Sequence, residues 1–193
     1  MNISNTSKIT SIQNNLKKVL TISEREFKFK ITLFGPGGVG KTSLLLRFVK
    51  DYFSEDLKKT IGSNFLIKDT VIDGNNVRLL IWDIGGQPQF HKLRTIYFKG
   101  SNAALGVYDL TSPQSLLKIP GWVSSIKKTV KKNIPMILLG NKNDLDRQVD
   151  KAEAEDLAKR LGCDYLETSA KTGVNVEKAF NYIAKACVES MEL

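Results

Sequence analysis

A glycine-rich run near the first quarter of the chain contains the residues whose types and spacing best suit chemistry. Gly35–Thr42 (GPGGVGKT) matches the pattern G-x-x-x-x-G-K-[ST], which binds the phosphates of nucleoside triphosphates. Glycines let the backbone curl so that successive N–H groups point at phosphate oxygens, while the lysine supplies a cation and the threonine hydroxyl a hard ligand for Mg²⁺. The run alone predicts a nucleoside triphosphate site without naming the base. The candidate nucleotide-binding residues here are Gly35, Gly37, Gly38, Val39, Gly40, Lys41, Thr42 and Ser43.

An acid, a glycine and a glutamine follow one another where a later apolar run ends, in Trp82–Gln87 (WDIGGQ). We predict that Asp83 holds Mg²⁺ through its water, and that the Gly86 N–H donates to a γ-phosphate. Gln87 can orient a water for in-line attack, because an amide positions the water while staying neutral. Thr60, in an upstream loop, is predicted to close over the metal when the γ-phosphate is present. Gln87 is therefore the candidate catalytic residue, and the candidate metal ligands are Thr42, Thr60 and Asp83.

Two runs nearer the C-terminus predict which base is bound. Gly140–Asp144 (GNKND) follows an apolar stretch, and the Asp144 carboxylate can accept hydrogen bonds from both the ring N–H and the exocyclic amine of guanine. Adenine has no such pair of donors, so this carboxylate favours guanine and disfavours a general P-loop ATPase. Thr168–Lys171 (TSAK) offers the Ala170 backbone N–H to the guanine carbonyl.

Five further residues complete the predicted base site. Asn141 is expected to tie the base loop to the phosphate loop, and the aliphatic stem of Lys142 to lie against the plane of the base. Ser169 and Lys171 stand beside the predicted backbone donor, with Lys171 as an orienting neighbour. Phe53 is an aromatic side chain suited to cover the other side of the base.

From residue 27 onward, strand-like apolar runs alternate with helical patterns, which predicts a doubly wound α/β domain. Two of the runs are nearly uninterrupted, as expected of strands buried on both faces of a parallel sheet. Such sheets bind ligands outside the carboxyl ends of their strands, which is where the motifs above stand. The predicted strands are Phe27–Phe34, Asn64–Ile72, Val77–Asp83, Ala103–Tyr108 and Met136–Gly140, with a hairpin turn over Asp73–Asn76. The predicted helices are Thr42–Tyr52, Ser115–Lys132, Lys151–Leu161 and Val176–Val188.

Over residues 27–188 these motifs, in this order, resemble the small GTPases of the Ras superfamily. Thr168–Lys171 and Tyr108–Thr111 (YDLT) look like Rab or Ras proteins, whereas Trp82–Gln87 and the N-terminal extension look like Arf-like proteins. The resemblance implies a P-loop GTPase domain: a mostly parallel six-stranded sheet with one antiparallel edge strand and helices on both faces.

The resemblance also implies a GTP/GDP switch that requires Mg²⁺ and hydrolyses GTP slowly without help. Two mobile loops, Phe53–Gly62 and Asp83–Phe98, would be ordered by the γ-phosphate and would engage effectors, exchange factors and GTPase-activating proteins. Pro88 departs from the family's usual acidic or polar residue and restricts Gln87 away from helical geometry. A nucleotide-dependent binding module with little intrinsic hydrolysis therefore stays as the alternative.

Length and composition agree with one folded domain that binds an anion. The chain has 193 residues, of which 41% are hydrophobic and 25% charged, values typical of a globular protein. We divide it into an N-terminal extension with an amphipathic helical pattern (1–26), a G domain (27–189) and a short tail (190–193).

The net charge of +9 suggests an anionic partner, but nothing in the sequence resembles a nucleic-acid fold. Ser115–Lys132 carries five lysines and no acids, which leaves open a weak peripheral contact with a membrane. The helical pattern of residues 1–26 leaves two alternatives open, an interfacial membrane helix or a segment that packs on the domain.

The ends and the cysteines predict a protein of the cytoplasm, or one peripheral at the cytoplasmic face of a membrane, and the family resemblance implies a monomer. The first residues contain no long apolar run, residue 2 is not glycine, and the last four residues contain no cysteine. We therefore expect no secretory signal, no myristoyl group and no prenyl group. Cys163 and Cys187 are expected to be free buried thiols. His91 is interpreted as a residue of the switch surface rather than a base.

Overall fold

The computed structural model describes residues 26–87 and 94–191, which form an α/β domain built on a six-stranded sheet. The strands are β1 (Glu26–Phe34), β2 (Ser63–Ile72), β3 (Asn75–Ile84), β4 (Ala103–Asp109), β5 (Met136–Asn141) and β6 (Asp164–Glu167). The helices are α1 (Lys41–Lys50), α2 (Arg94–Phe98), α3 (Pro113–Leu117), α4 (Ile119–Val130), α5 (Lys151–Leu161) and α6 (Val176–Glu189).

The strands lie in the order β2-β3-β1-β4-β5-β6. Every neighbouring pair is parallel except β2 with β3, which is antiparallel. The predicted sheet with one antiparallel edge strand is therefore confirmed.

Two apolar cores cover the two faces of the sheet. Alternate residues of β1, Phe29, Ile31 and Leu33, pack into one core with α1 and α6, while Phe34 packs into the other with α3, α4 and α5. All seven residues of β4 are buried, since helices cover this central strand from both sides. Helices on both faces are thus confirmed, and the sheet forms a rigid base for the loops at its edge.

The hairpin between β2 and β3 is tighter than predicted. Its register pairs Ile72 with Asn75, so the turn contains only two residues. Asp73 and Gly74 have φ angles of 48° and 79°, and positive φ at both central residues is the requirement of a type I′ turn.

The single helix predicted over Ser115–Lys132 is wrong, because the chain forms two helices that break at Lys118. Pro120, in the first turn of α4, has no N–H to donate to the preceding turn, so it fits a helix start rather than a helix interior. The predicted helix Thr42–Tyr52 also ends early, at Lys50, where Asp51 adopts the left-handed conformation with φ 48°.

Some other features differ from the sequence prediction, and several predicted features fall on residues outside those that the structure describes. The four residues of β6 and the five residues of α2 had no predicted counterpart. Glu26 already belongs to β1, and the rest of the predicted extension, residues 1–25, lies outside the described residues. So do Pro88, His91 and the last two residues of the predicted tail. Within the described ranges, no helix combines the length and apolarity that crossing a membrane requires.

The two cysteines differ in burial. Cys187 is buried in the core on α6, as predicted, whereas Cys163 is only partly buried. Burial raises the pKa of Cys163 to about 11 and that of Cys187 to about 12, so both thiols stay protonated at neutral pH.

Candidate nucleotide site

Loops that follow the carboxyl ends of β1, β3 and β5 surround one large cavity of about 1300 Å³. It gathers most of the predicted site residues in one place, although the sequence separates them by more than a hundred positions. Those that line it are Gly37, Gly38, Gly40, Lys41, Thr42, Ser43, Phe53, Thr60, Gly86, Gln87, Asn141, Lys142, Asp144, Ala170 and Lys171. The other four, Gly35, Val39, Asp83 and Ser169, are buried and bond to residues of the lining.

The side chain of Lys41, the lysine of the phosphate loop, is buried against the backbone of that loop. Lys41 Nζ donates hydrogen bonds to the carbonyl oxygens of Gly35, at 2.9 Å, and Pro36, at 2.7 Å. The pKa of Lys41 is lowered to about 8, mainly by burial of the ammonium group. The negative charge of Asp83 opposes this shift, and the positive charge of Arg94 adds to it. A buried cation of this kind is stabilised by an anion, which is the electrostatic requirement of a phosphate site.

Gly40 joins the phosphate loop to α1 with a backbone that a side chain would disturb. Its φ is +94°, in the left-handed region, and an added Cβ would overlap the amide nitrogen of Asn141. Asn141 Nδ2 in turn donates to the Val39 carbonyl at 2.9 Å, which is the tie between base loop and phosphate loop expected from the sequence. The absence of a side chain at residue 40 therefore permits the contact between the two loops.

We expect Gly40→Ala to destabilise the protein more than Gly38→Ala does. Both glycines have a positive φ, so both substitutions introduce backbone strain, but nothing lies within 4 Å of a Cβ at Gly38. The difference in unfolding free energy should be about 1 to 3 kcal/mol, the usual cost of forcing atoms into a packed site. Urea unfolding of the two variants measures it. Equal losses of stability would show that the Asn141 contact does not constrain residue 40.

Asp83, Thr42 and Thr60 meet beside the phosphate loop. Thr42 Oγ1 donates to Asp83 Oδ2 at 2.5 Å, and the Thr60 hydroxyl lies 2.7 Å from Thr42 Oγ1 and 3.3 Å from Asp83 Oδ2. Asp83 Oδ1 is buried and has no hydrogen-bond partner among the described residues. Burial raises the pKa of Asp83, against the hydrogen bonds of the two threonines and the charge of Lys41, which lower it. Two hydroxyl oxygens and an orphaned carboxylate oxygen suit the hard ion Mg²⁺, so the three residues fit the predicted metal site.

The segment that carries the candidate catalytic residue packs directly on the phosphate loop. A Cβ at Gly86 would overlap backbone atoms of Pro36 and Gly37, so only glycine permits this approach. Gln87 follows and lines the cavity. The Gly85 N–H donates to the Gly62 carbonyl at 2.8 Å, which links the two loops that the family resemblance identifies as switches.

At the other end of the cavity, Asn141 and Asp144 organise the predicted base site. Asn141 Oδ1 accepts from the Ala170 N–H at 3.2 Å and from Thr168 Oγ1 at 3.3 Å. Ser169 Oγ donates to Asp144 Oδ1 at 2.5 Å, which orients the exposed carboxylate. Because the Ala170 N–H already donates to Asn141, its bond to a guanine carbonyl stays a prediction.

Lys142 and Arg47 each make a supporting contact that was not predicted from the sequence. Lys142 Nζ lies 2.5 Å from Asp109 Oδ2, at the end of the neighbouring strand β4. Arg47, on α1, donates to the carbonyl oxygens of Ala170 at 2.9 Å and Lys171 at 2.8 Å. These bonds fix the base loops to the strand and helix beside them. Asp109 pairs with Asn141 because β4 and β5 are neighbours in the sheet. The spacing of residues in the sequence does not show which strands are neighbours, so this contact could not be predicted from it.

A third contact of this kind connects the base site with the first predicted switch loop. Lys171 Nζ lies 2.9 Å from Glu55 Oε1, across 116 residues of sequence. Both side chains are exposed, so the pair adds little stability. Its position nevertheless brings the loop that contains Phe53 next to the base loop.

Comparison with known proteins agrees with this arrangement. The Ras family model matches residues 30–189. The chain is 40% identical over 159 residues to Ras-related protein Rab-13 of Mesocricetus auratus, a match covering 81% of this chain and 78% of that protein. It is also 40% identical over 162 residues to Ras-related protein Rab-8 of Diplobatis ommata, covering 83% and 77% of the two chains. The similarity lies on the Rab side of the resemblance. The protein is therefore a Rab-like member of the Ras family, and so a small GTPase of the Ras superfamily.

Proposed function

We propose that the protein is a molecular switch that binds GTP or GDP with Mg²⁺ and hydrolyses GTP to GDP and phosphate. One observation carries the proposal: the phosphate loop, the Asp83 cluster, Gln87 and Asp144 all meet at the same cavity. Phosphate, metal, water and base would then each have a matching set of groups in one site.

The proposed roles follow from the position of each group. Lys41 and the backbone N–H groups of Gly38 to Ser43 bind the phosphates, helped by the positive N-terminal end of α1. Thr42, Thr60 and Asp83 hold Mg²⁺, which when bound neutralises charge on the phosphate oxygens. Gln87 orients the attacking water, and the Gly86 N–H donates to the γ-phosphate.

Guanine selectivity is assigned to the opposite end of the cavity. Asp144 accepts from the ring N–H and amine of the base, and Ala170 donates to its carbonyl. Lys142 and Phe53 cover the base from the two sides. Both line the cavity, and the Asp109 contact limits where the Lys142 side chain can lie.

Partner proteins are proposed to bind at the two switch loops. An aromatic cluster lies beside them, with ring centroids of Phe65 and Trp82 5.0 Å apart and those of Trp82 and Tyr97 6.1 Å apart. Phe65 is 40% exposed, and Ile61 in the first loop is 80% exposed. Exposed apolar side chains next to nucleotide-dependent loops suit effectors, exchange factors and GTPase-activating proteins.

We also propose that the monomer works in the cytoplasm, with weak peripheral contact at the cytoplasmic face of a membrane. The free cysteines and the lysines of α4 support this assignment. Sedimentation of the full chain with anionic vesicles should be weak and should decrease as salt increases. If the chain does not sediment even at low salt, the membrane contact is excluded.

Single-turnover hydrolysis tests the proposed function. Protein loaded with GTP should release one equivalent of phosphate in Mg²⁺, with a rate constant on the order of 10⁻⁴ to 10⁻² s⁻¹, and almost none after the metal is chelated. Tight GTP binding without phosphate release would instead support the nucleotide-dependent binding module, and would contradict hydrolysis.

A further inference from the structure

Arg94 is a charged residue of the cavity that the proposed function does not use. It is the first residue of α2, and its side chain lines the cavity together with Lys41, Thr42 and Gln87. Its charge is close enough to Lys41 to lower the pKa of that lysine. Two cations therefore act on the part of the cavity where the phosphate loop and Gln87 meet.

The aromatic core holds the guanidinium of Arg94 in place. Its Cζ lies 3.5 Å from the centroid of the Trp122 ring. Trp122 is itself buried, with ring contacts at 6.2 Å to Phe34 and 6.4 Å to Phe98. Stacking uses the face of the guanidinium and leaves the N–H groups in its plane free to donate.

Arg94 differs from the other described arginines in its partners. It has no carboxylate partner within residues 26–87 and 94–191, and its Nε is buried with no hydrogen-bond partner there. Burial also lowers the pKa of Arg94, as expected for a cation without a counterion. The other four described arginines all pair with a carboxylate, as Arg47 with Asp51, Arg78 with Asp69, Arg147 with Glu167 and Arg160 with Asp156.

A guanidinium held by stacking, lacking an anion and sharing a cavity with Lys41 is suited to a phosphate. We propose that Arg94 donates to the γ-phosphoryl group of GTP and stabilises its charge during hydrolysis, so that the chain supplies this arginine itself. The inference rests on the proposed function. In the step, a water oxygen bonds to the γ-phosphorus, and the bond from that phosphorus to the β–γ bridging oxygen breaks, with its electron pair staying on that oxygen as GDP leaves. The attacking oxygen keeps one of the two water protons, and the other passes to another oxygen of the released phosphate. Arg94 forms no covalent bond, and its contribution is electrostatic.

Single-turnover hydrolysis by Arg94→Ala and Arg94→Lys tests the inference, with Arg160→Ala as the matched control. Arg160 lies on α5, is paired with Asp156 and does not line the cavity. We expect Arg94→Ala to slow hydrolysis by roughly tenfold to a hundredfold. Arg94→Lys should recover only part of the rate, because the ammonium lacks the planar fork of donors. The control should hydrolyse GTP at the wild-type rate, and all variants should bind GDP as wild type does.

Rescue by free guanidinium ion separates a catalytic role from a structural one. Added at concentrations that leave the protein folded, it should restore part of the lost rate to Arg94→Ala and leave wild type and Arg160→Ala unchanged. Equal rates for wild type and Arg94→Ala would overturn the inference alone. A joint loss of rate and GDP binding that guanidinium does not rescue would also overturn it, by showing a structural role. Absence of hydrolysis in the wild-type protein would defeat the proposed function and the inference with it.

Discussion

We expect the Asp144→Asn protein to lose affinity for GTP by about 10²- to 10⁴-fold, which corresponds to the loss of two hydrogen bonds to a charged acceptor. The same variant should gain affinity for xanthosine triphosphate. The asparagine oxygen still accepts from the ring N–H, while its NH₂ donates to the carbonyl that xanthine has in place of the guanine amine. The exchange therefore reverses the donor and acceptor pattern at one edge of the base.

The surroundings of Asp144 make this substitution interpretable. Its Oδ1 accepts from Ser169 Oγ, and Ser169 Oγ accepts from the Thr172 N–H at 3.0 Å. These bonds set the direction of the side chain, so an asparagine of the same shape should occupy the same place. Competition of GTP, its xanthine analogue and ATP against a fluorescent nucleotide measures the preference. The matched control is Asp146→Asn, at an exposed neighbour that does not line the cavity. Unchanged preference for GTP in Asp144→Asn would remove the assignment of this residue to the base.

Gln87→Leu should leave GTP binding unchanged and slow hydrolysis by about 10²-fold, the loss typical when a reacting group is no longer oriented. Gln87 lines the cavity directly after Gly86, whose packing on Pro36 and Gly37 places it at the phosphate loop. Leucine retains the bulk of the side chain but cannot accept from or donate to a water. The variant should therefore remain loaded with GTP for longer than wild type.

Single-turnover phosphate release, compared with the affinity for a non-hydrolysable GTP analogue, separates hydrolysis from binding. Gln148→Leu is the matched control, because Gln148 is an exposed glutamine outside the cavity lining. Hydrolysis at the same rate by wild type and Gln87→Leu would contradict the role of Gln87. A loss of binding equal to the loss of rate would assign Gln87 to the nucleotide contacts instead.

The sequence could predict the parts of the site in which one short segment does the chemistry. The phosphate loop is contiguous, so its spacing already places Lys41 and Thr42 between β1 and α1. The alternation of Phe29, Ile31 and Leu33 likewise predicts a buried face of β1, because side chains of a strand alternate between faces.

The remaining parts depend on contacts between segments that are distant in the sequence. Arg94 and Trp122 meet because α2 packs against α4, and no local pattern in either segment indicates it. The Asp109 contact with Lys142 depends on the order of β4 and β5 in the sheet. Strand β6 has only four residues, none of them fully buried, so it lacks the apolar run by which strands are found. The break at Lys118, in contrast, had a visible signal in Pro120.

The central claim is that this site selects guanine nucleotides and hydrolyses GTP. The most direct test loads the wild-type protein in Mg²⁺ from an equimolar mixture of GTP and ATP, removes free nucleotide, and follows the bound nucleotide over time by chromatography. We predict that only guanine nucleotide is bound, and that bound GTP is converted one-for-one into GDP. Comparable binding of ATP, or GTP that stays intact while bound, would contradict the claim.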